Sequence, residues 1–163
     1  MKFINGLFII LFFIMNTYTQ ERKRIEAHRF IVPPTIDGNI SENEWKQIKP
    51  ATNFTLFQPE IRSGEKIPNG YETYVYFGYD DNAIYVAAQL NHPFPKEIPS
   101  EFSERDDMDA ISEKFLISID TYDNTKERFT FFVTSSGGLI DGLNTGDFNE
   151  DGLKFNTLFD AKV

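Results

Sequence analysis

Aromatic and β-branched residues crowd the stretch Tyr71-Glu72-Thr73-Tyr74-Val75-Tyr76-Phe77, and Ala83 to Leu90 alternates around Asp80-Asp81-Asn82 as turn chemistry. This pattern predicts a β-hairpin. Ile84, Val86, Ala88 and Leu90 are expected toward the core, with Tyr85, Ala87 and Gln89 facing outward or toward a second layer. A second pair follows. Phe115 to Asp120 puts Phe115, Ile117 and Ile119 on one face, and Arg128 to Thr134 does the same with Phe129, Phe131 and Val133. Thr121 to Lys126 is the polar loop between them. Ser135-Ser136-Gly137-Gly138 turns the chain into an extended piece from Leu139-Ile140, and Phe54 to Phe57 reads as an additional strand.

Helical patterning is confined to one place. Pro33-Pro34 holds the chain extended, Asp37-Gly38 supplies a tight turn, and Ser41 with Glu44 fits the spacing of a capping box. Trp45 and Ile48 then share a helical face, which predicts a buried anchor at Trp45, and Pro50 closes the element. A further turn is expected near Glu104 to Met108. Short strands with turn signals between them and one short helix near the start predict an all-β chain, an antiparallel β-sandwich.

The address comes next. Lys2 precedes Leu7 to Met15, an apolar run too short to span a bilayer, which needs about 20 residues, but suited to the core of a secretory signal. Thr17-Tyr18-Thr19 offers a small-x-small exit, so residues 1–19 are expected to be removed before Gln20 and the chain to be exported in a bacterium: periplasmic, outer-membrane-associated or secreted. Residues 20–29 form a charged lead-in, and 30–163 the domain. There is no Cys, so disulfides contribute nothing to stability. The formal net charge is −9, and losing residues 1–19 takes away only Lys2, so −9 becomes −10. That charge makes nucleic acid a poor partner and favours neutral ligands or cations.

The opening Pro33-Pro34-Thr35-Ile36-Asp37-Gly38 with Ser41-Glu42-Asn43-Glu44-Trp45 resembles that of the family 9-like carbohydrate-binding modules. Tyr74 to Val86 looks like their central hairpin, and Arg105-Asp106-Asp107 like their acidic loop. Ile117 to Tyr122, Gly137-Gly138 with Asp141, and Phe155-Asn156 with Phe159-Asp160-Ala161 match later stretches in order and spacing. The resemblance covers most of residues 20–163. It implies a jelly-roll sandwich of the kind found at the N-terminus of large exported bacterial proteins, ahead of a β-rich domain of unknown function. It also implies carbohydrate binding near an attached or partner hydrolase, on a polysaccharide or oligosaccharide of xylan or cellulose type. The founding modules grip a glycan end between two tryptophans, whereas this chain has one Trp, in the opening helix.

Candidate chemistry falls in three places. Tyr74 and Tyr76, on one strand face, and loop Tyr122 could stack on sugar rings, or pack against a second layer. Within Glu104 to Asp109, Arg105 and Asp107 could read sugar hydroxyls or help hold a cation, or belong to a solvated loop. Asp147-Phe148-Asn149-Glu150-Asp151-Gly152 matches the first half of a calcium loop, with Asp147, Asn149 and Asp151 as ligands. Leu158 stands where an EF-hand would place its bidentate Glu, so any calcium site is of another type, and a solvated acidic loop is the alternative. His28 and His92 have no metal-ligand spacing. No nucleophile elbow, phosphate loop or dinucleotide fingerprint occurs, and sequence selects no carboxylate pair for glycoside hydrolysis.

Three functions therefore stand as expectations: carbohydrate binding by a non-catalytic module, docking onto a following outer-membrane-associated β-domain without sugar, and hydrolysis of O-glycosyl bonds. The single Trp favours docking over sugar binding. Leu158 to Val163 reads as a strand in progress, so further residues beyond Val163 are expected.

Overall fold

β-branched and aromatic side chains fit a pleated, half-buried surface, and this is where the strands form. The computed structural model describes residues 23–41, 43–124, 126–145 and 156–163. Among these, six strands make two three-stranded sheets. In the first, β1 (His28–Arg29) lies beside β2 (Thr73–Tyr79), which pairs with β3 (Ile84–Leu90). In the second, β5 (Glu127–Thr134) is central between β4 (Lys114–Ile119) and β6 (Leu139–Thr145). The one α-helix among the described residues, α1 (Asn43–Lys46), is a single turn. The described residues are thus all-β with very little helix, and none of the described helices is long and apolar enough to cross a membrane.

Local chemistry sets the turns where expected. Gly38 has φ +83°, and the Asn39 N–H donates to Asp37 Oδ1 at 2.8 Å. Asp80 Oδ1 accepts from the backbone N–H of Asn82 (2.7 Å) and Ala83 (2.8 Å), which closes the β2–β3 turn. The capping box does not form as expected. The helix starts at Asn43, and the Ser41 hydroxyl donates instead to Asn39 Oδ1 at 2.6 Å.

Several other expectations need correcting. Pairing is not antiparallel throughout, because β1 runs parallel to β2. Phe54 to Phe57 forms no strand; Thr55 makes only an isolated bridge to Lys66. Leu158 to Val163 has no regular secondary structure. The β3 faces are also shared differently: Val86 and Ala88 are half-buried, with Val75 buried opposite Ala88. Ala87 is buried and Tyr85 packs against the core, while Ile84 and Leu90 are exposed. The cause is the partner: Phe30, Trp45 and Ile48 settle on the face carrying Tyr76, Gly78, Tyr85 and Ala87. Alternation separates two faces, but does not say which one a helix will cover.

That first core is aromatic. The Trp45 side chain is 3% exposed, as expected of an anchor. Its ring meets Phe30 at 5.4 Å and Tyr76 at 6.4 Å between centroids, and Phe30 meets Tyr85 at 5.6 Å, all near edge-to-face. Phe30 lies directly on Gly78: a Cβ there would sit 2.1 Å from Phe30 Cε2. Glycine at this strand position makes room for the ring.

In β5 the buried positions are Thr130, Phe132 and Thr134, and Phe129, Phe131 and Val133, which share the other face as expected, are half-buried. β4 and β6 pair with both edges of β5. Hydrogen bonds satisfy its threonines: Thr134 Oγ1 accepts from Gly138 N–H at 2.8 Å and pairs with Ser136 Oγ at 2.9 Å.

Candidate functional site

The hairpin β2–β3 fixes Tyr74 and Tyr76 on one face, each on a strand with a defined partner: Tyr74 opposite Gln89, Tyr76 opposite Ala87. Their surroundings differ. Tyr76 packs against the Trp45 cluster. Tyr74 lies one pair further along, half-buried, beside exposed Gln89. At the other end of the hairpin the Tyr85 hydroxyl donates to Asp80 Oδ2 at 3.0 Å. The backbone N–H of Asn82 holds the Asp80 carboxyl below its ordinary range, while desolvation, followed by Asp80 itself, pushes the Tyr85 phenol up.

Arg105 sits in the loop before β4, and its guanidinium has several partners. It donates through Nη2 to Asp141 Oδ1 and, at 2.8 Å, to the Thr157 carbonyl. Its Nε lies 3.6 Å from Asp106 Oδ2, and its Cζ stands 5.6 Å from the centre of the Phe159 ring. Asp141, on β6, has no exposed surface. Its Oδ2 accepts the Thr157 N–H at 2.6 Å, and its own N–H donates to Asp106 Oδ1 at 3.2 Å. Phe159 in turn meets Phe131 at 5.3 Å. Arg105 thus ties the loop, β6 and the 156–163 segment into one hub. Sequence reasoning named Arg105 without this role and missed Asp141 as its partner. The signal was a lone Asp within the apolar Leu139-Ile140-Asp141-Gly142-Leu143 stretch.

Asp107 Oδ1 accepts the Asp109 N–H at 3.0 Å, which orders its own loop. Tyr122 is 69% exposed in the β4–β5 loop, where Asp120 Oδ1 accepts from the backbone of Tyr122 (3.1 Å) and Asn124 (3.3 Å). The five candidates therefore occupy three elements. No hydrogen bond, ion pair or ring contact joins Tyr74 or Tyr76 to Arg105, Asp107 or Tyr122 among the described residues. Asp147, Asn149 and Asp151 lie outside the described residues. Within those residues no group of three His, Asp or Glu is placed to hold a metal.

Comparison with protein families, curated proteins and solved structures finds no match for this chain.

Proposed function

We propose that this chain is an exported β-sandwich, a jelly-roll module in the manner of the family 9-like carbohydrate-binding modules, and that it binds a neutral polysaccharide or oligosaccharide of xylan or cellulose type. Export by a signal over residues 1–19 follows from the same reading. The observation that carries it is Tyr74: an aromatic ring at the edge of the Trp45 core, on a strand whose next same-face residue, Tyr76, is packed in place. Strands hold stacking rings more firmly than loops do. Tyr122, exposed on a hydrogen-bonded loop, is a second platform. Calcium, held by Asp147, Asn149 and Asp151, is the proposed ion. A glycan array followed by calorimetry tests the function. Binding of a neutral β-linked saccharide that Tyr74→Ala weakens at least tenfold, with the melting temperature retained, is the expected result. An array without a single neutral ligand removes the reading.

A second reading is docking onto a following outer-membrane-associated β-domain. It draws on large apolar side chains left in solvent, including Phe57 (81% exposed), Ile61 (91%) and Phe102 (85%). Any hydrolysis of O-glycosyl bonds would belong to an attached or partner domain.

A further inference from the structure

The β2–β3 register continues past the strand ends. Asn91 N–H donates to the Glu72 carbonyl at 3.1 Å, which makes Glu72 and Asn91 the next cross-strand pair after Thr73 and Leu90. Glu72, Tyr74, Gln89 and Asn91 therefore occupy one face of the hairpin's open end. Hydrogen bonds order its polar members. Gln89 Nε2 donates to Asn91 Oδ1 at 3.0 Å. Gly70 N–H reaches both Glu72 oxygens at 3.1 Å.

The Gln89–Asn91 bond sets how these two amides face each other. Asn91 accepts through Oδ1, and its amide N–H groups have no acceptor among the described residues. Gln89 gives one N–H to Asn91, and its second N–H and carbonyl oxygen have no partner among the described residues. Glu72 keeps acceptor capacity beyond the bonds it already takes. Open donors thus alternate with open acceptors beside an aromatic ring. A sugar hydroxyl both gives and accepts a hydrogen bond, and two vicinal hydroxyls need such an alternation, while the apolar face of the ring needs an aromatic surface. Glu72 is an anion, and no cation stands among these four residues to offset it. An anionic sugar would meet repulsion here.

We infer that Glu72, Tyr74, Gln89 and Asn91 form a subsite for a neutral pyranoside carrying vicinal hydroxyls, with Tyr74 as the stacking surface, the two amides reading the hydroxyls and Glu72 rejecting uronic acids. The inference rests on the carbohydrate-binding reading and gives it a location and a ligand class. Calorimetric titration with neutral xylo- and cello-oligosaccharides, and with a glucuronic-acid-containing homologue, tests it. The neutral ligands bind, Gln89→Ala and Asn91→Ala each weaken them about tenfold or more, and both variants keep the parent melting temperature. The acidic homologue binds at least tenfold more weakly to the parent and gains affinity in Glu72→Gln. Parent binding that both amide variants leave intact, or that only Tyr122→Ala removes, overturns the subsite and keeps the function. Failure of the parent to bind any of these saccharides overturns both.

Discussion

The two sheets bury different kinds of side chain. Around β2–β3 the buried side chains include Phe30, Trp45, Ile48, Val75 and Ala87, all apolar. Around β5–β6 Phe132 and Ile140 are joined by Thr130, Thr134, Asp141 and Asn144, with Arg105 reaching Asp141 from a loop. The first arrangement draws on apolar burial, which is non-directional and tolerates some rearrangement. The second adds hydrogen bonds in a region of low dielectric, where a missing partner is costly; Asn144 Oδ1 is buried there with no partner among the described residues. A buried charge pair adds little stability over apolar packing, yet removing one member is costly because the other is left uncompensated. The contrast says that β2–β3 answers to volume, and β5–β6 to geometry and charge.

The strongest test of the aromatic half is Trp45→Ala, which should lower stability by about 3–5 kcal/mol in denaturant unfolding. A variant that keeps its melting temperature but loses saccharide binding would make Trp45 a platform and not an anchor. Next comes Asp141→Ala. It leaves the Thr157 N–H without its acceptor, while Arg105, 38% exposed, keeps the Thr157 carbonyl and Asp106, so a loss of about 1–3 kcal/mol is expected. Arg105→Leu with Asp141→Leu together should cost less than the two singles summed, and simple additivity would mean that the hub is not one unit. Gly78→Ala presses a methyl into the Phe30 ring, which Trp45 and Tyr85 confine, so about 2 kcal/mol should be lost. A neutral result would show that Phe30 can leave its seat.

Calcium sharpens the polar side. A site at Asp147, Asn149 and Asp151 would raise stability by about 1.4 kcal/mol when the free ion is tenfold above its dissociation constant. Identical melts with calcium and with chelator would remove the ion. The smallest effect concerns pH. The Asp80 carboxyl is held below its ordinary range when folded, so its contribution is complete above that range and fades as pH falls through about 4 and below. Asp80→Asn should flatten that part of the acid dependence of the melting temperature. An unchanged slope would place the acid sensitivity elsewhere.

Much of this was legible along the chain because it is decided locally. The β2–β3 and β4–β5 hairpins follow from alternation bounded by turn residues, the Asp80 turn from a carboxylate two and three residues before the N–H groups it accepts, and the Gly38 turn from a backbone angle that other residues avoid. Trp45 could be read as an anchor because a single helical turn has only one face to bury. Whether Tyr85 and Ala87 face outward or toward a second layer could not be judged in the same way. Period two leaves both faces of β3 open until Phe30 and Trp45, distant in sequence, choose one. The Arg105–Asp141 pair joins residues 36 apart, and no local pattern distinguishes that Arg from a solvated one. Gly78 is a strand glycine until the Phe30 ring is laid on it, and alternation along β5 separates the Thr130–Thr134 face from the Phe129–Val133 face without saying which is buried more deeply. Sequence determined where strands and turns form, since these depend on neighbours in the chain. The tertiary structure decided which faces are buried and which charges are paired, since these depend on segments that meet only after folding.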